Sequence, residues 1–535
     1  MYKRWLKIIL WVFPLIATFI LVLTFTLTKG LHAYRPSIYN YESYMSPTII
    51  EKIKKKYNYK EFKEVNEFTQ ALNAEKAIAG VGSDFQAAQL IIDNKIKKID
   101  FERIYGIGAN NWELRKHIYR DAIVKHIEDF DKLIFETLQT TAPQKILSVK
   151  NQTYDVDNDG IADHIYEYII PYYSQDKGIA YNINKTSRPH LDIDNTLIEL
   201  EGQSEKLSWK EIINILRKNN YNSFGWTNAY YDNLMIGAFY DNWDVPNVFT
   251  EKNYKKAIDS FFDFVEKESG HSIKDTKYNY TTGDGLELLN HLIEPKPNRS
   301  DAAILYNGDA LDAYYSEDNF ASVEEGTIRF IRPKNNYILM DCWIIAKALS
   351  ENDTNDFLDL LRENIYSNNN LNRSWDKDKN YKTLTDKFFS EFKELYNTWD
   401  IQEERKKLKD EFNLSDEEIN NLIKKFDDCL TYDKFDTDLL ELRNSEYHLF
   451  DDVFSELFSS SNIGEIINFD YVSYTPTDVN TYEFIKKWYF KDDKIALSMY
   501  EQPDPSDTYN VYPYPIINTA TRTKITSYYY EKTKS

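Results

Sequence analysis

Cysteine is nearly absent: Cys342 and Cys429 are the only two in 535 residues, so no disulfide framework is encoded and cysteine use leaves the redox compartment unread. The eight histidines fall in no HExxH or comparable metal-ligand spacing. A phosphate-binding loop, a G-x-S-x-G elbow and a dinucleotide-binding glycine pattern are all missing. No nucleophile–base pair stands out, so an enzyme is not expected. Positive charge is in deficit, with 65 Lys and Arg against 86 Asp and Glu and a formal net charge of -21. Nucleic acid, whose binding needs cations against phosphates, is therefore not an expected partner. The same balance suits a cationic ligand and, more simply, a soluble surface.

Long apolar runs are missing with one exception. Residues 8–27 read IILWVFPLIATFILVLTFTL, without a charge. That is about the length of a helix that crosses the hydrocarbon core, and Pro14 is tolerated there if its freed carbonyl finds a partner. Lys3, Arg4 and Lys7 precede the run while Lys29 and Arg35 follow it, so charge favours a cytoplasmic N-terminus only slightly. A cleaved signal peptide is the alternative. It would have a shorter apolar region and a small-residue cleavage site, and residues 26–33 show no clear A-x-A. No cysteine lies nearby to be acylated. The expectation is a single-pass anchor in the cell membrane, residues 1–30, with the bulk of the chain extracellular.

What is abundant is aromatic: 42 Tyr, 30 Phe and 10 Trp. A biased genome explains part of this. Length allows two or three domains, each with its own core. Ser46-Pro47, Ser208 with Glu211 and Ser415 with Glu418 are helix-start signals. Short β-rich runs at 78–81, 166–170, 302–306 and 338–345 alternate with helical patterns, which indicates α/β architecture. Residues 375–460 are charged and helical in pattern, as in a helical insertion. Within the last β-rich run Asp341 stands among Tyr337, Leu339, Met340 and Trp343, about thirty residues after Tyr306-Asn307-Gly308-Asp309. A carboxylate in such surroundings is costly to bury without a partner, and an organic cation covered by aromatic rings would supply one.

Several segments recur in the order of a known family. They are Tyr39 to Pro47, Val81-Gly82-Ser83-Asp84-Phe85, Ile170-Pro171-Tyr172-Tyr173, Leu207 to Ile212 and Gly225 to Asp232. The best block runs from Tyr306-Asn307-Gly308-Asp309-Ala310 through Glu324-Glu325-Gly326 to Met340-Asp341-Cys342, and Tyr474-Thr475-Pro476-Thr477 matches a later turn. In these residues the chain resembles the polyamine-binding (spermidine/putrescine) subunits of ABC importers. The resemblance implies a two-lobed, periplasmic-binding-protein-like (type II) α/β fold with helical insertions, here preceded by one N-terminal transmembrane helix. It also implies a first lobe at 31–185 with return segments after 341, and a second lobe at 186–340 with a return segment near the C-terminus. Residues 461–535 would complete the lobes.

By the same resemblance Asp341 holds an amine, Ser83 contacts the ligand, and Tyr41, Tyr44, Phe85, Tyr306 and Tyr474 line the channel. Asp232 neutralises a further nitrogen, and Glu42 and Asp309 are additional acidic candidates. A linear polyamine does need spaced carboxylates with rings over its methylene stems. Each ring also has a plainer reading as core, and each acid as a capped or solvated carboxylate. The chain departs from the family in having Tyr41, Tyr306 and Leu339 where Trp is usual, Ala229 or Asn228 at an acidic position, and Glu42 and Ser43 in reversed order. Those departures leave the ligand class in place and put spermidine itself in question. The expected partners are a polyamine ligand and ABC permease subunits with a separate ATPase, with the membrane reached through the N-terminal helix. Alternatives are another cationic or small organic solute, or a calcium-stabilised surface adhesin that has lost transport.

Asp155, Asp157, Asp159, Ile161 (through its carbonyl) and Asp163 have the D-x-D-x-D-G-x-x-D spacing of calcium loops, with Gly160 at the sharp turn. A structural calcium ion is one reading, and a polar hairpin with an Asp-Gly turn is the other. No cofactor is otherwise required.

Overall fold

The computed structural model describes residues 18–20, 22, 24, 35–63, 65–244, 246, 248–315, 323–368, 375–431 and 437–534. Six strands come first: β1 (Ser37–Tyr41), β2 (Asn58–Phe62), β3 (Ala77–Ser83), β4 (Ile146–Ser148), β5 (Thr153–Tyr154) and β6 (Ile170–Asn182). Then follow β7 (Phe224–Thr227), β8 (Asn279–Thr282), β9 (Ala302–Tyr306), β10 (Ile328–Ile331), β11 (Asn335–Ile345), β12 (Thr475–Pro476) and β13 (Asn510–Pro513). β4 and β5 form a separate small hairpin.

The organising element is β6. Thirteen residues at roughly 3.3 Å each give it a length near 43 Å, enough to run through two sheets. Its first half pairs antiparallel with β11, and from Lys177 onward it pairs antiparallel with β9 and β10. The first lobe therefore reads β2-β1-β3-β11-β6 and the second β8-β7-β9-β6-β10. In each lobe the first three strands are parallel, and the next two alternate in direction. The second lobe thus repeats the plan of the first. This is a two-lobed α/β architecture, in which helices cover sheet faces that the parallel strands would otherwise leave bare.

Every residue of β6 is buried, including the polar run Ser174-Gln175-Asp176-Lys177. Burial of that run is tolerable because each group has a partner. Ser174 donates to Gln502, Asp176 faces Arg332 at 2.5 Å, and Lys177 faces Asp232 at 2.6 Å.

Local signals act where the chain is exposed. Ser208 and Glu211 cap the helix Trp209–Lys218 reciprocally, and Ser415 and Glu418 do the same for Asp416–Thr431. Helix Pro47–Lys54 starts at its proline, but the Ser46 side chain makes no capping bond; its backbone N–H donates to Asn468 Oδ1 instead. The strand expected at 166–170 begins only at Ile170. Ile165–Glu167 form a 3-10 turn in which Glu167 accepts from the His164 backbone, while the Tyr166 ring stacks on Trp112 and His164. The local His164–Glu167 cap and the distant Trp112 ring together override the β-rich composition.

Residues 375–460 form helices Lys377–Tyr396, Ile401–Phe412, Asp416–Thr431, Asp438–Arg443 and Asp451–Ser460. Their apolar faces share one core with helices Gly285–Ile293 and Asn307–Tyr314 of the second lobe. Phe388, Phe389, Phe392, Phe454 and Trp488 are its aromatic centre. Among the described residues no helix is long and apolar enough to cross a membrane. The span expected at residues 8–27 lies, apart from 18–20, 22 and 24, outside the described residues.

Candidate functional site

Between the lobes lies a cleft of about 540 Å³, within the range of roughly 300–1,000 Å³ usual for small-molecule sites. Among the described residues six carboxylates line it, Glu42, Asp284, Asp309, Asp312, Asp341 and Asp470, with Lys63 the one lysine. Eight tyrosines and Phe62 supply most of its apolar wall.

Strand pairing assembles the floor. β11 runs antiparallel to β3 with Asp341 directly opposite Ser83, and Gln175 reaches Asp341 from β6 on the other side. Asp341 is 1% exposed. Its carboxylate accepts from Tyr44 Oη at 2.7 Å, Ser83 Oγ at 3.1 Å and Gln175 Nε2 at 2.6 Å. All three donors are neutral, and among the described residues no cation stands within ion-pair distance. Burial pushes the carboxyl up to about 6 against the pull of the Tyr44 hydrogen bond, and the nearby Asp84 charge adds to the rise. The result is a desolvated carboxylate facing the cleft without a counter-ion.

Tyrosines link the floor to the second lobe. The Tyr44 ring lies 5.2 Å from that of Tyr474, and Tyr474 Oη donates to Asp309 Oδ1 at 2.5 Å. Burial raises the Asp309 carboxyl as well, while the Tyr474 bond and the Lys177 charge work the other way. Tyr41 packs edge-on against Tyr44 and hydrogen-bonds Ser83 at 3.0 Å. Ser43, at φ 54°, turns the chain between them. Gly308 permits the contact with Tyr474, since a Cβ there would collide with the ring.

Eight of the ten expected ligand-binding residues therefore line the cleft: Tyr41, Glu42, Tyr44, Ser83, Tyr306, Asp309, Asp341 and Tyr474. Two do not. Phe85 is packed at 4.5 Å against Tyr514 and does not line the cavity. Asp232 is fully buried behind the wall, where it meets Lys177 Nζ at 2.6 Å and accepts from the hydroxyls of Tyr306 and Tyr337 at 2.8 and 2.5 Å. At the mouth, Lys63 lies 2.9 Å from both Glu42 and Asp284, joining the lobes.

Sequence reasoning missed Lys63, Lys177, Gln175 and Asp284. A lysine inside a run that otherwise reads as buried strand was a visible sign of an internal ion pair. Asp284 was legible only as a helix N-cap. The pairing of Lys63 with Asp284 had no local sign.

The Asp-rich loop brings the carboxylates of Asp155, Asp157 and Asp159 within 4.8 Å of one another. Asp155 accepts from the backbone of Asn158, Asp159 and Gly160, as a turn aspartate does. Asp163 accepts from Val156 N and Tyr168 Oη, and it pairs with Lys98 Nζ at 2.7 Å. Lys98 also lies 3.8 Å from Asp159 and 4.0 Å from Asp157. The side chain of Ile161 is exposed, and its N–H donates to Asp159. Lys98 thus already supplies three of the four aspartates with a cation, in the place a calcium ion would take.

No family model matches the chain, and no curated protein does. Solved structures do show likeness. A Listeria monocytogenes protein assigned as a spermidine/putrescine ABC transporter aligns over 93% of this chain and 98% of its own, at 12% identity and a TM-score of 0.46. The spermidine/putrescine ABC transporter substrate-binding protein of Streptococcus pneumoniae, solved with calcium and HEPES, aligns over 61% of this chain and 77% of its own, at 12% identity and a TM-score of 0.37. The TpPotD lipoprotein of Treponema pallidum aligns over 62% of this chain and 81% of its own, at 15% identity and a TM-score of 0.37.

Proposed function

We propose that this protein captures a linear polyamine or a closely similar organic cation between its two lobes and delivers it to an ABC permease driven by a separate ATPase. The N-terminal apolar run would hold it at the outer face of the cell membrane. One observation carries the reading: Asp341 is a buried carboxylate with three neutral donors and, among the described residues, no counter-ion, opening into a cleft where six described carboxylates face one lysine. An ammonium group delivered there gains a charge-assisted hydrogen bond in a desolvated setting. Its methylenes lie against tyrosine faces, which attract the adjacent charge. An anionic or sugar ligand would leave that carboxylate uncompensated. The open cleft also argues against an adhesin without a ligand site.

Calorimetric titration of the full-length protein in detergent with putrescine and with spermidine tests the proposal, beside Asp341→Asn. Saturable binding of at least one amine, weakened by about a hundredfold or more in the variant, is the expected result. A well-folded protein that binds neither would overturn the reading.

A further inference from the structure

Lys177 is held as a ligand ammonium would be. Its Nζ lies 2.6 Å from Asp232 Oδ2, donates to Thr227 Oγ1 at 2.8 Å, and stands 3.8 Å from the centre of the Tyr306 ring. A carboxylate, a hydroxyl and an aromatic face are the three contacts by which a cleft recognises an organic ammonium. Thr227 and Tyr306 both line the cleft, and Lys177 sits directly behind them with a side chain only 1% exposed. Two tyrosine hydroxyls on Asp232 complete the enclosure. The ammonium position at the second-lobe end of the cleft is thus filled by the protein's own chain.

We propose that Lys177 is a built-in substitute for a ligand ammonium, and that it restricts the captured cation to a short α,ω-diamine by denying a third nitrogen its carboxylate. This rests on the cationic-ligand reading above. One amine of the ligand pairs with Asp341. The other lies toward Asp309, the carboxylate beyond Tyr474 that has no lysine or arginine in direct contact among the described residues. A longer polyamine would bring its extra charge up to Thr227 and Tyr306, where Asp232 is already neutralised by Lys177 and offers it no free carboxylate.

The test is calorimetry with putrescine and spermidine on the full-length wild type, on Lys177→Met and on Lys177→Met/Asp232→Asn, with circular dichroism to confirm folding. The wild type should bind putrescine at least as tightly as spermidine. Lys177→Met, which leaves Asp232 without its cation, should strengthen spermidine binding by about tenfold or more and leave putrescine nearly unchanged. The double variant, with both charges gone, should keep the wild-type preference. It decides the matter if the single variant does not fold. A wild-type preference for spermidine, an unaltered ratio in Lys177→Met, or a spermidine gain in the double variant would each overturn the proposal while leaving the cationic-ligand reading intact. Binding of neither amine by the folded wild type would remove that reading, and this inference with it.

Discussion

Lys63 of the first lobe joins Asp284 of the second at 2.9 Å, and the same ammonium lies 2.9 Å from Glu42. The bridge crosses the mouth of the cleft, where a lysine seated between two acids spans the lobes. At 57% exposure its net worth is small and screened by salt. Replacing it by an acid would do more than delete it. Lys63→Glu sets three carboxylates against one another, and the unliganded lobes should separate. Small-angle scattering at low salt should show a larger radius of gyration than the wild type, shrinking again at high salt; equal radii would show that Lys63 does not hold the mouth.

Asp341 should make binding and stability respond to pH in opposite senses. Burial raises its carboxyl from 3.8 to about 6, so the folded protein holds the proton more tightly than the unfolded chain does. Its ionisation therefore costs nothing below about pH 4, costs more as pH rises through about 6, and levels off at about 2–3 kcal/mol, at about 1.4 kcal/mol per unit. Asp341→Asn should accordingly raise the melting midpoint at pH 7.5 and not at pH 4. A cationic ligand needs the ionised form, so wild-type affinity should fall by about tenfold per pH unit below about 6. Titrations from pH 7.5 to 5 that show a flat affinity would contradict the role given to this carboxylate.

Gly308→Ala tests the aromatic wall without touching a charge. The added Cβ would overlap the Tyr474 ring. Overpacking of this kind costs about 1–3 kcal/mol. The displaced tyrosine should also lose its bond to Asp309. Diamine binding should weaken by about tenfold, with a lower melting midpoint, while Gly308→Ala paired with Tyr474→Ala should recover much of the stability and little of the affinity.

Lys98 is the cation of the Asp-rich loop. Its removal leaves Asp157, Asp159 and Asp163 close together without neutralisation, and Asp157 is already pushed up by burial and by its neighbour Asp163. Lys98→Ala should lower the melting midpoint, more at low salt than at high salt. Millimolar calcium should leave the wild-type midpoint in place, because the ion would have to displace the lysine. A calcium-dependent rise in the wild type would show that it does.

Local order in the chain determined a good deal of this protein. The capping residues Ser208 and Ser415 start the helices they were expected to start, because a cap is decided within one turn. The apolar setting of Asp341 marked a carboxylate on a buried strand, because four or five residues suffice to describe one. The ordered motifs placed Tyr44, Ser83 and Tyr474 in one site. Tertiary structure alone decided which carboxylates remain open to a ligand. Asp232 and Asp341 are equally acidic on paper, yet one meets Lys177 across 55 positions and the other meets the neutral donors Tyr44, Ser83 and Gln175. The same holds for Lys63 and Asp284, separated by 221 positions. Such pairings depend on where two sheets sharing β6 bring their edges and helix ends, and hydrophobic periodicity, which fixes only the face a residue lies on, does not encode them.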